Sequence, residues 1–387
     1  MTHAPTEIYL DNAATTKPHP AVVEAVTRAL VTDYGNPSSL HGKGVAAERL
    51  LTSARDAVAR TLGVDLEAIV FTSGGTEANN LAIHGTLAHT RGRHVVTTTV
   101  EHSSVGTPLQ TLAQRGWSVT ALPVDRSGRV SLSELQTALR PDTALVSVMA
   151  VNNELGTIQP IDDIGRVVRQ HNANGGRAVF HVDAVQAWGK IPLHPVAWGV
   201  DLMSLSAHKI HGPKGVGVLY VRRGVQLAPR QVGGEQEGGV RPGTENAPGI
   251  AGLGAAAQLL SAGAEANLKV RELSDRLRSG IESLSDARIN TDRNASVSHI
   301  LSATFRGVRG EMLLHRFSQD GVLVSTGSAC HSQSVTPSHV LLAIGLSDTD
   351  AKSTIRFSLS RFTTASEIDT TVRVLGTAVS ELRALVR

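Results

Sequence analysis

Lys209 stands in a glycine-rich segment, Ser206-Ala207-His208-Lys209-Ile210-His211-Gly212, directly after a short apolar run. A lysine that is desolvated or lies near other cations can form a Schiff base with a carbonyl group. A surface lysine in a turn is the ordinary alternative. Lys209 therefore becomes a candidate catalytic residue only together with other groups.

Asp183 ends the apolar segment Phe180-His181-Val182, which we expect to be a strand buried on both faces. A buried carboxylate requires a cationic partner, and a protonated pyridine nitrogen would supply one. Capping of a following helix is the alternative role. Gln186, three residues later, is expected on the same face of that helix, where its amide could donate to a phenolic oxygen of a cofactor.

The segment Thr72-Ser73-Gly74-Gly75-Thr76-Glu77 resembles a phosphate cradle. Glycines such as Gly75 permit close backbone approach, and the first turn of a helix offers unpaired N–H groups. A plain helix N-cap by Ser73 or Thr76 explains the same pattern. A phosphate cradle, a strand-end aspartate and a lysine in one α/β domain together describe a pyridoxal-phosphate site.

Three further residues could act on a substrate. His102 follows an apolar strand and could lie over the cofactor ring and transfer protons, although a core histidine is the alternative among sixteen histidines. Arg356 lies in a strand-like segment, where its guanidinium would bind a substrate carboxylate or form an internal salt bridge. Cys330 is the one cysteine of the chain and is flanked by small polar residues. We expect its loop to be exposed and mobile, which suits a nucleophilic thiolate better than an inert, buried thiol.

The strands that must position these residues are short apolar runs that alternate with amphipathic segments. This rhythm predicts an α/β fold with a mainly parallel sheet, whose ligand lies beyond the carboxyl ends of the strands. We expect an N-terminal segment (1–15) that packs with a smaller C-terminal domain (259–387), which carries the Cys330 loop, and a large cofactor-binding domain (16–258). The predicted strands of the large domain are Ile69–Phe71, His94–Val100, Ala144–Val151, Ala178–Val182 and Val216–Val221.

Composition excludes several classes of protein. The 387 residues are 41% hydrophobic and 18% charged, which is typical of an ordinary globular protein and is long enough for two domains. The net charge of +3 is spread along the chain without a basic run, so we expect no direct nucleic-acid partner. The apolar stretches are too short for a bilayer and we find no leader-like start. With a single cysteine, this predicts a cytoplasmic protein and no membrane association.

The motifs as a set resemble the pyridoxal-phosphate cysteine desulfurases, in the group of the nitrogen-fixation and housekeeping iron–sulfur enzymes. The resemblance spans nearly the whole chain and implies the aminotransferase-like architecture known as fold type I. It rests on Tyr9–Thr16, Gly35–His41, Phe71–Asn80, Glu101-His102, Asn152–Thr157, Ser206–Gly215, Arg241–Asn246 and Ile355–Thr364.

The resemblance implies that Lys209 carries pyridoxal 5′-phosphate, Asp183 pairs with its ring nitrogen, and Gln186 donates to its phenolic oxygen. His102 would stack on the ring. Asn153 and Arg356 would bind the carboxylate of L-cysteine, and Cys330 would be the nucleophile. The phosphate would contact Gly75, Thr76, Ser206, His208 and, from the neighbouring subunit of a homodimer, Thr244.

The Cys330 loop departs from the family pattern, because Thr326 replaces a serine and His331 stands where a threonine is common. We expect conversion of L-cysteine to L-alanine, with the sulfur passing through Cys330 to an acceptor protein. That acceptor could be an iron–sulfur scaffold, a tRNA-thiolation protein or a DNA-sulfur modification protein. The alternatives are a selenocysteine lyase, an aminotransferase for small amino acids, or a non-catalytic sulfur-relay scaffold.

Overall fold

Seven strands form the central sheet of the computed structural model, which describes residues 7–260, 263–326 and 336–386. The strand order is β2-β8-β7-β6-β5-β3-β4. Neighbours from β7 to β4 are parallel, and β8 is antiparallel to both β2 and β7. The predicted mainly parallel α/β sheet is therefore confirmed. Its strands are β2 (Ile69–Thr72), β3 (His94–Thr98), β4 (Ser118–Leu122), β5 (Thr143–Met149), β6 (Val179–Asp183), β7 (Leu202–Ser206) and β8 (Gly217–Val221).

Helices cover both faces of this sheet, so its central strands are almost entirely buried. Strands β5 and β7 expose no residue, as expected of a sheet covered on both faces. The helices of this part are α1 (Pro20–Val31), α2 (Gly42–Leu62), α3 (Gly75–Leu87), α4 (Ser103–Gln114), α5 (Leu132–Ala138), α6 (Ile161–Ala173), α7 (Pro195–Trp198) and α8 (Ala247–Gln258).

The C-terminal part is built on a three-stranded antiparallel sheet of order β12-β10-β9. A separate pair joins β1 (Ile8–Tyr9) to β11 (Val322–Leu323) in parallel. The remaining strands are β9 (Ala287–Ile289), β10 (Ile300–Phe305) and β12 (Thr354–Ser358), and the helices are α9 (Gly263–Glu282), α10 (Gly310–Gln319), α11 (His339–Ala343), α12 (Asp348–Lys352) and α13 (Ala365–Val386).

Two large apolar clusters underlie these parts. One is centred on the seven-stranded sheet, and the other holds Ile8 and Leu10 together with core residues between 270 and 382. We propose that the two clusters are the cores of the two expected domains, with the boundary near residue 258. None of the helices in the described ranges is long and apolar enough to cross a bilayer.

Candidate active site

A cavity of about 330 Å³ lies at the carboxyl ends of the central strands. Thr244 is exposed and lies outside its wall, and Cys330 lies outside the described residues. The other predicted site residues all line the cavity: Gly75, Thr76, His102, Asn153, Asp183, Gln186, Ser206, His208, Lys209 and Arg356.

Lys209 enters the cavity from a single 3₁₀ turn, Ala207–Lys209, that directly follows β7. Its Nζ donates to the carbonyl oxygens of Ala13 at 2.6 Å and Ala14 at 2.8 Å. The amine is therefore held at a fixed point of the wall. Burial and the neighbouring Lys209 ammonium lower the pKa of His208 to about 4, so that this imidazole is neutral at physiological pH.

Asp183 is the last residue of β6 and is 5% exposed. Its Oδ1 accepts from the backbone N–H of Val185 at 3.0 Å, and its Oδ2 accepts from Nδ2 of Asn79 at 2.7 Å. Within the described ranges no Lys, Arg or His forms an ion pair with it. A buried carboxylate without a cationic partner among the described residues suits a cationic ligand.

The helix expected after Asp183 was a wrong prediction. The chain instead makes hydrogen-bonded turns over residues 185–190. Gly189 lies in this segment with φ +73°, a left-handed conformation that interrupts a helix. Gln186 nevertheless lines the cavity, and its Nε2 donates to the carbonyl of Ala13 at 2.8 Å.

His102 is the N-cap of α4, and its protonation follows from that position. Its Nδ1 accepts from the backbone N–H of Ser104 at 3.1 Å and lies 2.8 Å from the hydroxyl of the same residue. Because a backbone N–H can only donate, Nδ1 carries the lone pair and the ring proton lies on Nε2. The imidazole is thus held in one tautomer beside the cavity.

The glycine-rich turn ends where α3 begins at Gly75. A Cβ at Gly75 would lie 2.8 Å from Cγ2 of Val185, so only glycine fits between the helix and the turn after β6. Ser73 N–H donates to the Glu77 carboxylate at 2.6 Å, and Arg241 binds the same carboxylate. The N–H groups of the first helical turn have no acceptor within α3, which makes this helix end suitable for an anion.

Arg356 is 2% exposed and is partly satisfied by the chain itself. It donates from Nη2 to Oδ1 of Asp11 at 2.8 Å and from Nη1 to the carbonyl of Asn153 at 2.9 Å. The internal salt bridge that the sequence left open is therefore present. Its Nε is buried and finds no acceptor among the described residues. Asn153 accepts from Arg356 through its backbone carbonyl and is one of the residues that line the cavity.

Residues that sequence reasoning did not assign to the site connect these groups. Nδ2 of Asn79 donates both to Asp183 and to Ser104, at 2.7 and 2.8 Å, so it joins the aspartate to the residue that holds His102. Glu101 is buried next to this network, and desolvation raises its pKa to about 8. Asn79 comes four residues after Gly75, so both lie on the same face of α3. This spacing could have assigned Asn79 to the site.

The comparisons with known proteins agree with this geometry. Residues 8–371 match the model of the aminotransferase class-V family. A cysteine desulfurase of Nostoc sp. is 46% identical over 98% of this chain and 94% of its own length. The chain belongs to the cysteine desulfurases. It is accordingly a pyridoxal-phosphate-dependent enzyme.

Solved structures of cysteine desulfurase relatives have the same fold. A NifS-like protein superimposes with a TM-score of 0.91 at 38% identity, over 97% of this chain and 100% of the other. A structure titled SspA in complex with cysteine superimposes with a TM-score of 0.81 at 35% identity, over 93% and 100% of the two chains. The predicted fold type I architecture is confirmed.

The cavity of this cysteine desulfurase fits pyridoxal 5′-phosphate on three observations. Lys209 supplies an amine for the aldehyde, Asp183 is a buried carboxylate available to a protonated ring nitrogen, and the start of α3 at Gly75 supplies N–H groups for the phosphate. Ser206 and His208 line the wall next to Lys209. These residues would hold the cofactor.

Proposed function

We propose that this cysteine desulfurase converts L-cysteine to L-alanine with Lys209 and His102 as proton carriers and Cys330 as the sulfur acceptor. The observation that carries the proposal is that Lys209 and Asp183, at the ends of neighbouring strands, line one cavity. When bound there, pyridoxal phosphate supplies an electron sink that makes the bonds at the substrate α-carbon labile.

His102 and Lys209 are suited to move protons. The proton of neutral His102 lies on Nε2, since Nδ1 is committed to the N-terminus of α4. Lys209 is held by two carbonyl oxygens, so its amine stays at the cavity wall when it is not bound to the cofactor. One group can remove a proton while the other returns one.

Arg356 and Asn153 would orient the substrate. A bidentate guanidinium is the preferred partner of a carboxylate, and Arg356 combines an unpartnered Nε with its position in the cavity wall. A substrate carboxylate would compete with Asp11 for Nη2. The competing contact lowers the affinity for cysteine and keeps the buried guanidinium paired between turnovers.

The sulfur step uses the one thiol of the chain. The thiolate of Cys330 attacks the substrate sulfur, an S–S bond forms and the C–S bond breaks. The carbon that loses sulfur gains a proton and becomes the methyl group of alanine. A thiol of an acceptor protein then takes the terminal sulfur and releases Cys330 as a thiolate.

The chain on either side of the Cys330 segment supports this role. Ser325 pairs with Arg356 through two backbone hydrogen bonds of 3.2 and 2.7 Å. On the other side, Ser338 donates to the Glu154 carboxylate at 2.6 Å, next to Asn153. Cys330 is the fifth residue after Ser325, and five extended residues span about 17 Å. A tether of this length would allow the thiol to reach the cavity.

We further propose a homodimer in which Thr244 contacts the cofactor phosphate of the partner subunit, because Thr244 is exposed and lies outside the cavity wall of its own chain. Mixed dimers of Thr244→Ala and Lys209→Ala chains would test this. Only the Lys209→Ala subunit should lose the cofactor, because the other subunit receives Thr244 from its partner.

The acceptor is a protein thiol of an iron–sulfur, tRNA-thiolation or DNA-sulfur system. Transfer of labelled sulfur from Cys330 to each purified candidate identifies it. A cytoplasmic location accords with the reducing conditions that this chemistry needs.

Alanine formation from L-cysteine with a reducing thiol present tests the function. The wild-type protein should form alanine, and Lys209→Ala should form none. Cys330→Ser should lose turnover while it retains the absorbance of the lysine-bound cofactor. Wild-type turnover in Cys330→Ser would contradict the role of the thiol, and turnover in Lys209→Ala would contradict that of the lysine.

A further inference from the structure

A second, much smaller cavity lies between the two cores and is walled by basic side chains. Its volume is about 30 Å³, and Lys190, His211, His299 and Arg361 all line it. None of these residues lines the cofactor cavity. The small cavity is therefore a separate feature of the molecule.

The cations of this cavity form no ion pair with an acidic side chain of the described residues. Within residues 7–260, 263–326 and 336–386, neither Lys190 nor Arg361 forms an ion pair, and the residues outside these ranges include no Asp or Glu. Among the described residues, Arg361 donates only a long hydrogen bond of 3.5 Å to the carbonyl of Leu259. Two cations thus line the cavity, and no acidic side chain of the described residues lines it.

The two histidines of the cavity do not offset the charge of these cations, and one of them has an unpartnered nitrogen. His211 lies 2.9 Å from the carbonyl of Lys17 through its Nδ1, so this nitrogen donates and the ring is satisfied on that side. His299 is 5% exposed, and its Nε2 is buried and finds no partner among the described residues. An unpartnered buried polar nitrogen costs free energy unless a ligand meets it.

The pKa values of Lys190 and His299 are both lowered in this cavity. Burial, and then Arg361, lower the pKa of Lys190 to about 8. Burial lowers the pKa of His299 well below its usual value, with further contributions from Lys190, Arg356 and Lys209. All of these charges are positive, so a negative charge in the cavity would stabilise each of them.

We propose that the cavity between Lys190, Arg361 and His299 binds a small inorganic anion of the size of chloride. The volume of about 30 Å³ matches a single small ion and is too small for a phosphate ester or an amino-acid carboxylate with its side chain. The bound anion joins Lys190, in the turns after β6, to Arg361, which lies three residues after the end of β12. It therefore stabilises the contact between the two cores.

Thermal unfolding of the holoenzyme in chloride and in gluconate, at equal ionic strength, tests the proposal. Gluconate has six carbons and does not fit the cavity. We expect a midpoint higher by at least about 2 °C in chloride. Lys190→Met should lose this difference, whereas Lys269→Met, an exposed lysine on α9, should keep it. An equal chloride effect in Lys190→Met and wild type, or no effect in wild type, would overturn the proposal.

Diffraction from wild-type crystals grown in bromide gives an independent result that does not depend on a variant that folds. The proposal expects an anomalous peak between Lys190 and Arg361. Density without a bromide peak at this position would overturn it. Arg361→Gln replaces Lys190→Met in the unfolding experiment if the latter does not fold, with the same expected loss of the chloride effect.

Discussion

Nδ2 of Asn79 lies 2.7 Å from Oδ2 of Asp183 and also donates to the hydroxyl of Ser104 at 2.8 Å. The same hydroxyl lies 2.8 Å from Nδ1 of His102. One amide group thus links the carboxylate at the end of β6 with the imidazole at the start of α4. Asn79, which itself lines the cavity, thus fixes the aspartate and the histidine relative to each other.

Asn79→Leu should therefore weaken both cofactor binding and catalysis. Asp183 would lose a hydrogen bond to a buried charge, which contributes about 1.5–3 kcal/mol. We expect a lower affinity for pyridoxal phosphate, measured by cofactor titration of the apoprotein. The neighbouring residue gives a matched control. Among the described residues, the Asn80 side chain bonds only the helix backbone at Thr76, so Asn80→Leu should leave cofactor affinity unchanged. Equal losses in the two variants would contradict the link.

The sequence predicted the cavity but not this link. Strand-end residues such as Asp183 and the residues after β3 could be placed together, because parallel strands end at one edge. Asn79 could not, since its contact depends on how closely α3 packs on β6. Strand β7 was noted only as a short apolar run before Lys209 and was not among the predicted strands. Its sequence Leu-Met-Ser-Leu-Ser mixes hydroxyls into a buried strand and has no β-branched residue, which hides the apolar signal.

Two further differences have similar physical causes. The Asp11–Arg356 ion pair joins residues 345 positions apart, and no local pattern indicates such a contact. Gln186 was predicted to lie on a helix, but the left-handed Gly189 interrupts a helix there. Gln186 lines the cavity from a turn instead. The Cys330 segment was predicted from composition alone, and its conformation stays a prediction.

His102→Asn should separate the structural role of this residue from its catalytic role. An asparagine oxygen keeps the N-cap of α4, but the variant has no Nε2–H to exchange. We expect a fold of unchanged stability and a kcat lower by about 10²–10⁴-fold. His41 is another histidine N-cap, bonded to the N–H of Gly44, so His41→Asn is the control and should retain turnover. Normal kcat in His102→Asn would rule out proton transfer by His102.

Glu101 should make stability depend on pH. Its folded-state pKa of about 8 exceeds the unfolded value of 4.5, so the folded protein binds the extra proton between these values. Stability is therefore greatest below pH 4.5 for this group and falls as pH rises towards 8. Glu101→Gln keeps the oxygen that accepts from Thr98 and from Met149, and should be more stable than wild type at pH 8 by at least about 1 kcal/mol.

The control for Glu101 is Glu24→Gln, which removes an exposed charge on α1. Denaturant unfolding at several pH values between 5 and 8 measures the effect. Glu24→Gln should follow the wild-type pH dependence, and Glu101→Gln should have a flatter one. Parallel curves for Glu101→Gln and wild type would mean that this carboxyl is ionised throughout.

Arg356→Lys should raise KM for cysteine more than it lowers kcat. A lysine ammonium cannot contact Asp11, the Asn153 carbonyl and a substrate carboxylate in the planar geometry of a guanidinium. We expect KM to rise by roughly 10–100-fold, equal to about 1.4–2.8 kcal/mol of lost binding. Arg177→Lys, an exposed position, is the control. A KM unchanged in Arg356→Lys would show that the carboxylate binds elsewhere.

The central claim is that Lys209 and Cys330 act in one reaction, and the most direct test is the mass of the Cys330 peptide after a single turnover with L-cysteine. We predict that the wild-type peptide gains one sulfur atom and that one alanine forms for each sulfur bound. The Lys209→Ala peptide should gain none. Sulfur on Cys330 in the Lys209→Ala protein, or alanine from wild type without sulfur on Cys330, would contradict the account.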